Sequence, residues 1–208
     1  RLTVPTPGIA GTLGRCGILK ESGRTDVPSV LRRKHAPRRR LQRRGRWGQL
    51  LDHTGPVAKS EQNAARIFGC DNLFFVTNGT STSNKIVWNY TVAPGDIVIV
   101  DRNCHKSILH AITLTGAIPV FLMPTRNHYG IIGPIPRSEF DWETIQEKIA
   151  KNPLIKNKNA KPRIMTITQS TYDGIVYNDE VIKEKLDGKV DILHFDEAWL
   201  PHAAFSPF

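Results

Sequence analysis

The sequence predicts an α/β fold, a mostly parallel sheet with helices covering both faces. Three observations carry that expectation. Short runs of consecutive apolar residues, such as Ile97-Val98-Ile99-Val100, recur between residues 47 and 208. A strand buried on both faces reads as such a run rather than as an alternation. Helical stretches separate the runs, as parallel strands require, because each connection must return to the starting end of the sheet. Gly69 and Gly116 stand where a left-handed residue would close a helix.

Taken in order, Leu50-Leu51-Asp52-His53-Thr54-Gly55-Pro56 reads as a turn, and 61–68 as a helix ending at Gly69. Leu73-Phe74-Phe75-Val76 reads as a short apolar strand, 80–90 as a helix and 97–100 as a strand. A helix over 105–114 is closed by Gly116, and 118–122 forms the next strand. Asp141 is placed to cap a helix that runs to residue 150. A strand over 163–168, a helix over 179–186 and a strand over 192–195 complete the alternation. No internal repeat interrupts it.

Charge divides the chain in two. Residues 1–46 hold 13 of the 29 Lys/Arg and 2 of the 19 Asp/Glu, leaving 16 and 17 for the rest. The formal charge of +10 therefore belongs to the first segment, and whole-chain basicity is no argument for nucleic acid. That segment lacks a stable period, and its runs Arg32-Arg33-Lys34 and Arg38-Arg39-Arg40 flank Pro37. It is expected to be disordered or the product of a shifted reading frame, with 47–208 as the folded unit. Three cysteines without CxxC pairing suit a reducing compartment. No apolar stretch is long enough to span a membrane, and a cytoplasmic address is expected. No metal site is expected.

In parallel sheets, ligands gather at the carboxyl ends of strands, so residues just after each strand matter most. Thr77-Asn78-Gly79-Thr80-Ser81-Thr82 opens a helix, where free N–H groups and hydroxyls suit a phosphate. Ser and Thr also simply cap helices, so the stretch alone does not decide. Asp101-Arg102-Asn103-Cys104-His105-Lys106-Ser107 offers His105 for stacking or proton movement, or as a plain cap. Lys106 reads as a solvated charge. Thr168 to Gly174 is a polar turn with no assigned role. Asp196, at the end of the last strand, would need a partner if buried: a protonated pyridine nitrogen or an arginine could serve, or the residue could simply cap a helix. Phosphate cradle, imidazole and carboxylate, each after a strand, form the layout that a pyridoxal-phosphate site requires.

The motifs DHTGP, FFVTNGTSTSNK, VDRNCHKS, PTRNHYGIIGPI, STYDG and LHFDEAW resemble the major domain of bacterial ornithine/lysine/arginine decarboxylases, over about residues 48–208. PTRNHYGIIGPI, KNPLIKNK and FDEAW look most like the biodegradative arginine decarboxylases. The resemblance implies part of the large domain of a fold-type I, aspartate-aminotransferase-like enzyme, with pyridoxal 5'-phosphate as cofactor. It implies that Gly79, Thr80 and Ser81 hold the phosphate, that His105 stacks on the ring, and that Asp196 pairs with the ring nitrogen. Trp199 would line the pocket, with His105 and Asp196 the catalytic pair. The implied reaction converts a basic amino acid, arginine first and then lysine or ornithine, to its amine and carbon dioxide. Full-length relatives are expected to be cytoplasmic homo-oligomers that bind neither nucleic acid nor membrane.

The family's cofactor-bound lysine lies in a Ser-x-His-Lys motif beyond the FDEAW strand, and no such motif occurs here. The chain is therefore expected to be a truncated product, inactive by itself. Its alternatives are a non-catalytic cofactor-binding or assembly module, or a nucleic-acid binder driven by the basic arm.

Overall fold

The computed structural model describes residues 48–205. The expectation for residues 1–46 lies outside the described residues. The chain forms α1 (Gly55–Phe68), α2 (Thr80–Thr91), β1 (Ile97–Asp101), α3 (Lys106–Thr115), β2 (Ile118–Leu122), α4 (Trp142–Lys151), β3 (Ile164–Thr168), α5 (Asp179–Leu186) and β4 (Ile192–Asp196). The sheet order is β2-β1-β3-β4, and every pairing is parallel.

Alternate residues of the strands feed two cores, as the period of two demands. Ile97, Ile99, Met165 and Ile167 pack with Ile145 and Ile149 of α4 and with Ile182 and Leu186 of α5. Val98, Val100, Ile164 and Ile192 pack on the opposite face with Val87 and Trp88 of α2 and with Ile108 and Ala111 of α3. The central strand β1 is buried throughout, which explains its unbroken apolar run. Pro119 is tolerated because β2 lies at the sheet edge.

Two expectations change. The helix foreseen over 61–68 starts at Gly55, because Pro56 fills a first-turn position where a missing N–H costs nothing. Leu73-Phe74-Phe75-Val76 is not a strand among the described residues. The Phe75 N–H donates to Oε1 of the buried Glu61 at 2.9 Å, so a side chain takes the place of a strand neighbour. Left-handed Gly69 and Gly116 close α1 and α3 as expected.

Candidate functional site

The connection from β1 through α3 leads to β2 on one side, while β3 lies on the other side of β1 and leads through α5 to β4. The helices leave on opposite faces of the sheet. At such a switch a crevice opens at the carboxyl ends of the strands. A cleft of about 530 Å³ lies there, walled by residues following β1, β3 and β4 and by the start of α2. Gly79, Thr80, Ser81, His105, Asp196 and Trp199 all line it.

The start of α2 is built to leave its donors open. Gly79 holds φ 79° and ψ 175°, a region essentially restricted to glycine, and no side chain caps the helix. A Cβ on Gly79 would meet nothing within 4 Å, so the backbone angle, not crowding, selects glycine. The N–H groups of Thr82 and Ser83 donate to the Gly79 carbonyl at 3.0 and 3.3 Å. The N–H groups of Thr80 and Ser81, which no intrahelical carbonyl reaches, remain at the positive end of the helix with two hydroxyls beside them.

The carboxylate is held on one side only. Asn84, one turn after Thr80, donates from Nδ2 to Asp196 Oδ2 at 2.9 Å and to Ser107 Oγ at 3.0 Å. Asp196 is buried, and its Oδ1 has no hydrogen-bond partner among the described residues. An orphaned carboxylate oxygen is costly unless a donor arrives from elsewhere. The buried Ser170 hydroxyl, also in the cleft wall, lacks a partner among the described residues too. His105 is the N-cap of α3: its Nδ1 accepts from the Ser107 N–H at 3.2 Å and lies 2.9 Å from Ser107 Oγ.

Burial sets the protonation of the flanking groups. It pushes the Cys104 thiol up to about 12, reinforced by the Asp101 charge, so this cleft cysteine is a thiol and not a nucleophile. Burial also raises the carboxyl of Asp101, against the Asn103 N–H that donates to its Oδ1 at 2.7 Å. The imidazole of His194 is lowered to about 4 by burial, with the Asp196 charge opposing, and its Nδ1 lies 3.1 Å from Thr166 Oγ1. At the mouth, Tyr172 and Trp199 meet edge to face with ring centroids 4.9 Å apart, both exposed.

An adjoining, more apolar groove of about 630 Å³ shares Asn78, Thr80, Asn84 and Asp196 with it, and its own wall includes Leu51, Phe74, Ile86 and Tyr90. It lacks Gly79, Ser81 and His105, so the convergent polar groups make the first cleft the candidate site. The pattern reading missed Asn84, Ser107, Ser170 and Tyr172. The spacing of four between Thr80 and Asn84 was the one local signal, since it places both on one helix face.

Residues 41–208 match the family model for the major domain of Orn/Lys/Arg decarboxylases. Over 161 residues the chain is 58% identical to lysine decarboxylase LdcA of Pseudomonas aeruginosa, covering 77% of this chain and 21% of that protein. It is 49% identical to biodegradative arginine decarboxylase of Escherichia coli, again over 77% of this chain and 21% of the relative. The solved structure of lysine decarboxylase A from Pseudomonas aeruginosa superposes with a TM-score of 0.74 at 59% identity, over 77% of this chain and 22% of the other. The chain thus spans about a fifth of the length of these relatives. The similarity to the lysine enzyme exceeds that to the arginine enzyme, the reverse of the order drawn from PTRNHYGIIGPI, KNPLIKNK and FDEAW.

Proposed function

Since the chain belongs to the Orn/Lys/Arg decarboxylase family, we propose that its cleft holds pyridoxal 5'-phosphate for the decarboxylation of a basic amino acid. The observation that carries this is the unclaimed Asp196 Oδ1, in the same cleft as the uncapped start of α2. An anion-binding helix end and a buried carboxylate seeking a donor fit the two charged ends of one pyridine phosphate.

In this reading the α2 N-terminus with Thr80 and Ser81 anchors the phosphate, and Asp196 Oδ1 accepts from the ring nitrogen and holds its positive charge. His105 covers one face of the ring, while Trp199 with Tyr172 narrows the mouth and limits entry of water. Bound there, the cofactor supplies an electron sink for the bond between Cα and the carboxylate, so carbon dioxide leaves and an amine remains. Lysine is the first candidate substrate, supported by the higher identity to a lysine decarboxylase, with arginine next. Homo-oligomeric assembly and a cytoplasmic setting belong to the same reading. Among the described residues no helix is long and apolar enough to cross a membrane.

Titrating the 208-residue chain with pyridoxal phosphate, followed by tryptophan fluorescence, tests the site. Saturable binding is expected, competed by inorganic phosphate and weakened at least about tenfold in Asp196→Asn, because a charge-assisted hydrogen bond becomes a neutral one. Absence of saturation, or equal affinity in the variant, would remove this reading. Substrate choice is tested by replacing the matching segment of the Pseudomonas aeruginosa lysine decarboxylase with residues 48–205 and assaying lysine, arginine and ornithine.

A further inference from the structure

We propose that Asn84 and Ser107 are positioning residues that tie the Asp196 carboxylate to the His105 imidazole, making the two ring-binding groups one hydrogen-bonded unit. The consequence for catalysis rests on the preceding reading of the cleft, but the tie itself is a property of the chain.

The direction of every bond follows from the donors available. The Asp196 carboxylate accepts, so the Asn84 amide must turn its NH₂ toward it, and the two hydrogens serve Asp196 Oδ2 at 2.9 Å and Ser107 Oγ at 3.0 Å. Ser107 Oγ, already accepting, has one hydrogen of its own, and the atom 2.9 Å away is His105 Nδ1. That nitrogen also accepts from the Ser107 N–H at 3.2 Å. With two donors aimed at it, Nδ1 carries no proton, and the neutral ring keeps its hydrogen on Nε2. Asn84 and Ser107 are both buried, with 2% exposure each, so water does not compete for these bonds.

The arrangement does two things for a bound ring. It occupies Oδ2 of Asp196 from the α2 side and leaves Oδ1 as the open acceptor. It also fixes the rotation and tautomer of His105 from α3, so the imidazole plane is set before a ligand arrives. Elements far apart in sequence, α2, α3 and β4, are thereby locked around one cleft.

The test is an NMR measurement on the cofactor-free 208-residue chain with ¹⁵N-labelled histidine, the His105 signals being assigned by their loss in His105→Gln. A single tautomer with bare Nδ1 and protonated Nε2 is expected. In Asn84→Ala and in Ser107→Ala the Nδ1 resonance should move while those of His110 and His128 stay, and Ser107→Thr should restore it. A protonated Nδ1, a tautomer mixture, or an Nδ1 signal indifferent to both residues overturns the proposal. If Asn84→Ala does not fold, the Ser107 pair and the wild-type tautomer decide.

A second arm compares pyridoxal phosphate with its analogue carrying CH in place of the ring nitrogen. Asn84→Ala should raise the dissociation constant of the former about tenfold, the effect of one lost hydrogen bond to a charged group, and of the latter less than about twofold. Equal losses for both ligands overturn the link to Asp196. If neither ligand binds the wild-type chain, the cofactor reading fails, and the NMR result still decides the tie.

Discussion

Two strands of the sheet end in a buried aspartate, Asp101 on β1 and Asp196 on β4, and their surroundings differ in kind. Asp101 is served on one oxygen by its own turn: its Oδ1 accepts from the Asn103 N–H, its buried Oδ2 has no partner among the described residues, and it lines no part of the cleft. Asp196 is served from a distant helix on one oxygen and left open on the other, inside the cleft. The same residue at the same place on a parallel strand is thus a structural brace in one case and a candidate ligand in the other. Each carboxylate keeps one oxygen without a partner among the described residues, so access to the cleft makes the difference.

Acidification should separate the two strand ends most strongly. His194, two residues before Asp196, is buried neutral and lowered to about 4 from 6.5. A folded pKa below the unfolded value means that the unfolded chain binds the extra proton. This contribution is therefore complete above pH 6.5 and lost as pH falls toward 4, by about 3 kcal/mol for one such group. Asp101 has the opposite sign: its folded pKa is raised by burial, so its end of the sheet loses stability as pH rises above 3.8. Urea melts at pH 7, 5.5 and 4 on the wild type and on His194→Gln check this. The steep acid loss should flatten in the variant. An unchanged slope would show that other groups dominate.

The second effect is a crossing of stability and binding. Asp101→Ala leaves the Asn103 N–H without its acceptor and should cost about 1–3 kcal/mol of stability. Its affinity for pyridoxal phosphate should change less than about twofold. Asp196→Asn keeps an acceptor for Asn84 and should cost less than about 1 kcal/mol, yet lose the ligand. Thermal melts and ligand titrations on the same two variants read both quantities. A pattern in which both variants lose stability and binding together would erase the distinction drawn between the two aspartates.

How far these differences can be read from the sequence depends on range. The parallel sheet was legible because burial of β1 on both faces writes an unbroken apolar run, and because Gly69 and Gly116 mark helix ends locally. The open start of α2 was legible for the same reason, since a glycine before hydroxyl residues announces a helix start. The segment Leu73 to Val76 misled because a strand is defined by its neighbour, and here the Phe75 N–H goes to Glu61. Asn84 and Ser107 were silent because the bonds that matter span 112 and 23 positions, and an amide or hydroxyl gives no pattern of its own. Placement of Asp101 outside the cleft and Asp196 within it is likewise a property of strand order, which no window of residues displays.

The smallest effect uses Cys104 as a reporter between the two aspartates. Its N–H donates to the Asp101 carbonyl at 3.1 Å, and its side chain lines the cleft that Asp196 also lines. Burial is the main reason that its thiol is pushed up to about 12, the Asp101 charge comes next, and Asp196 contributes least. Alkylation requires the thiolate, so at pH 8 the rate with iodoacetamide should lie about a thousandfold below that of free cysteine. Removing a nearby negative charge favours the thiolate, so Asp101→Ala should accelerate the reaction a few-fold, and Asp196→Asn by less. Peptide mass spectrometry of timed digests measures Cys104 separately from Cys70. Faster alkylation in Asp196→Asn than in Asp101→Ala would mean that the β4 carboxylate, not the β1 one, governs the floor of the cleft, reversing the order that burial and proximity set.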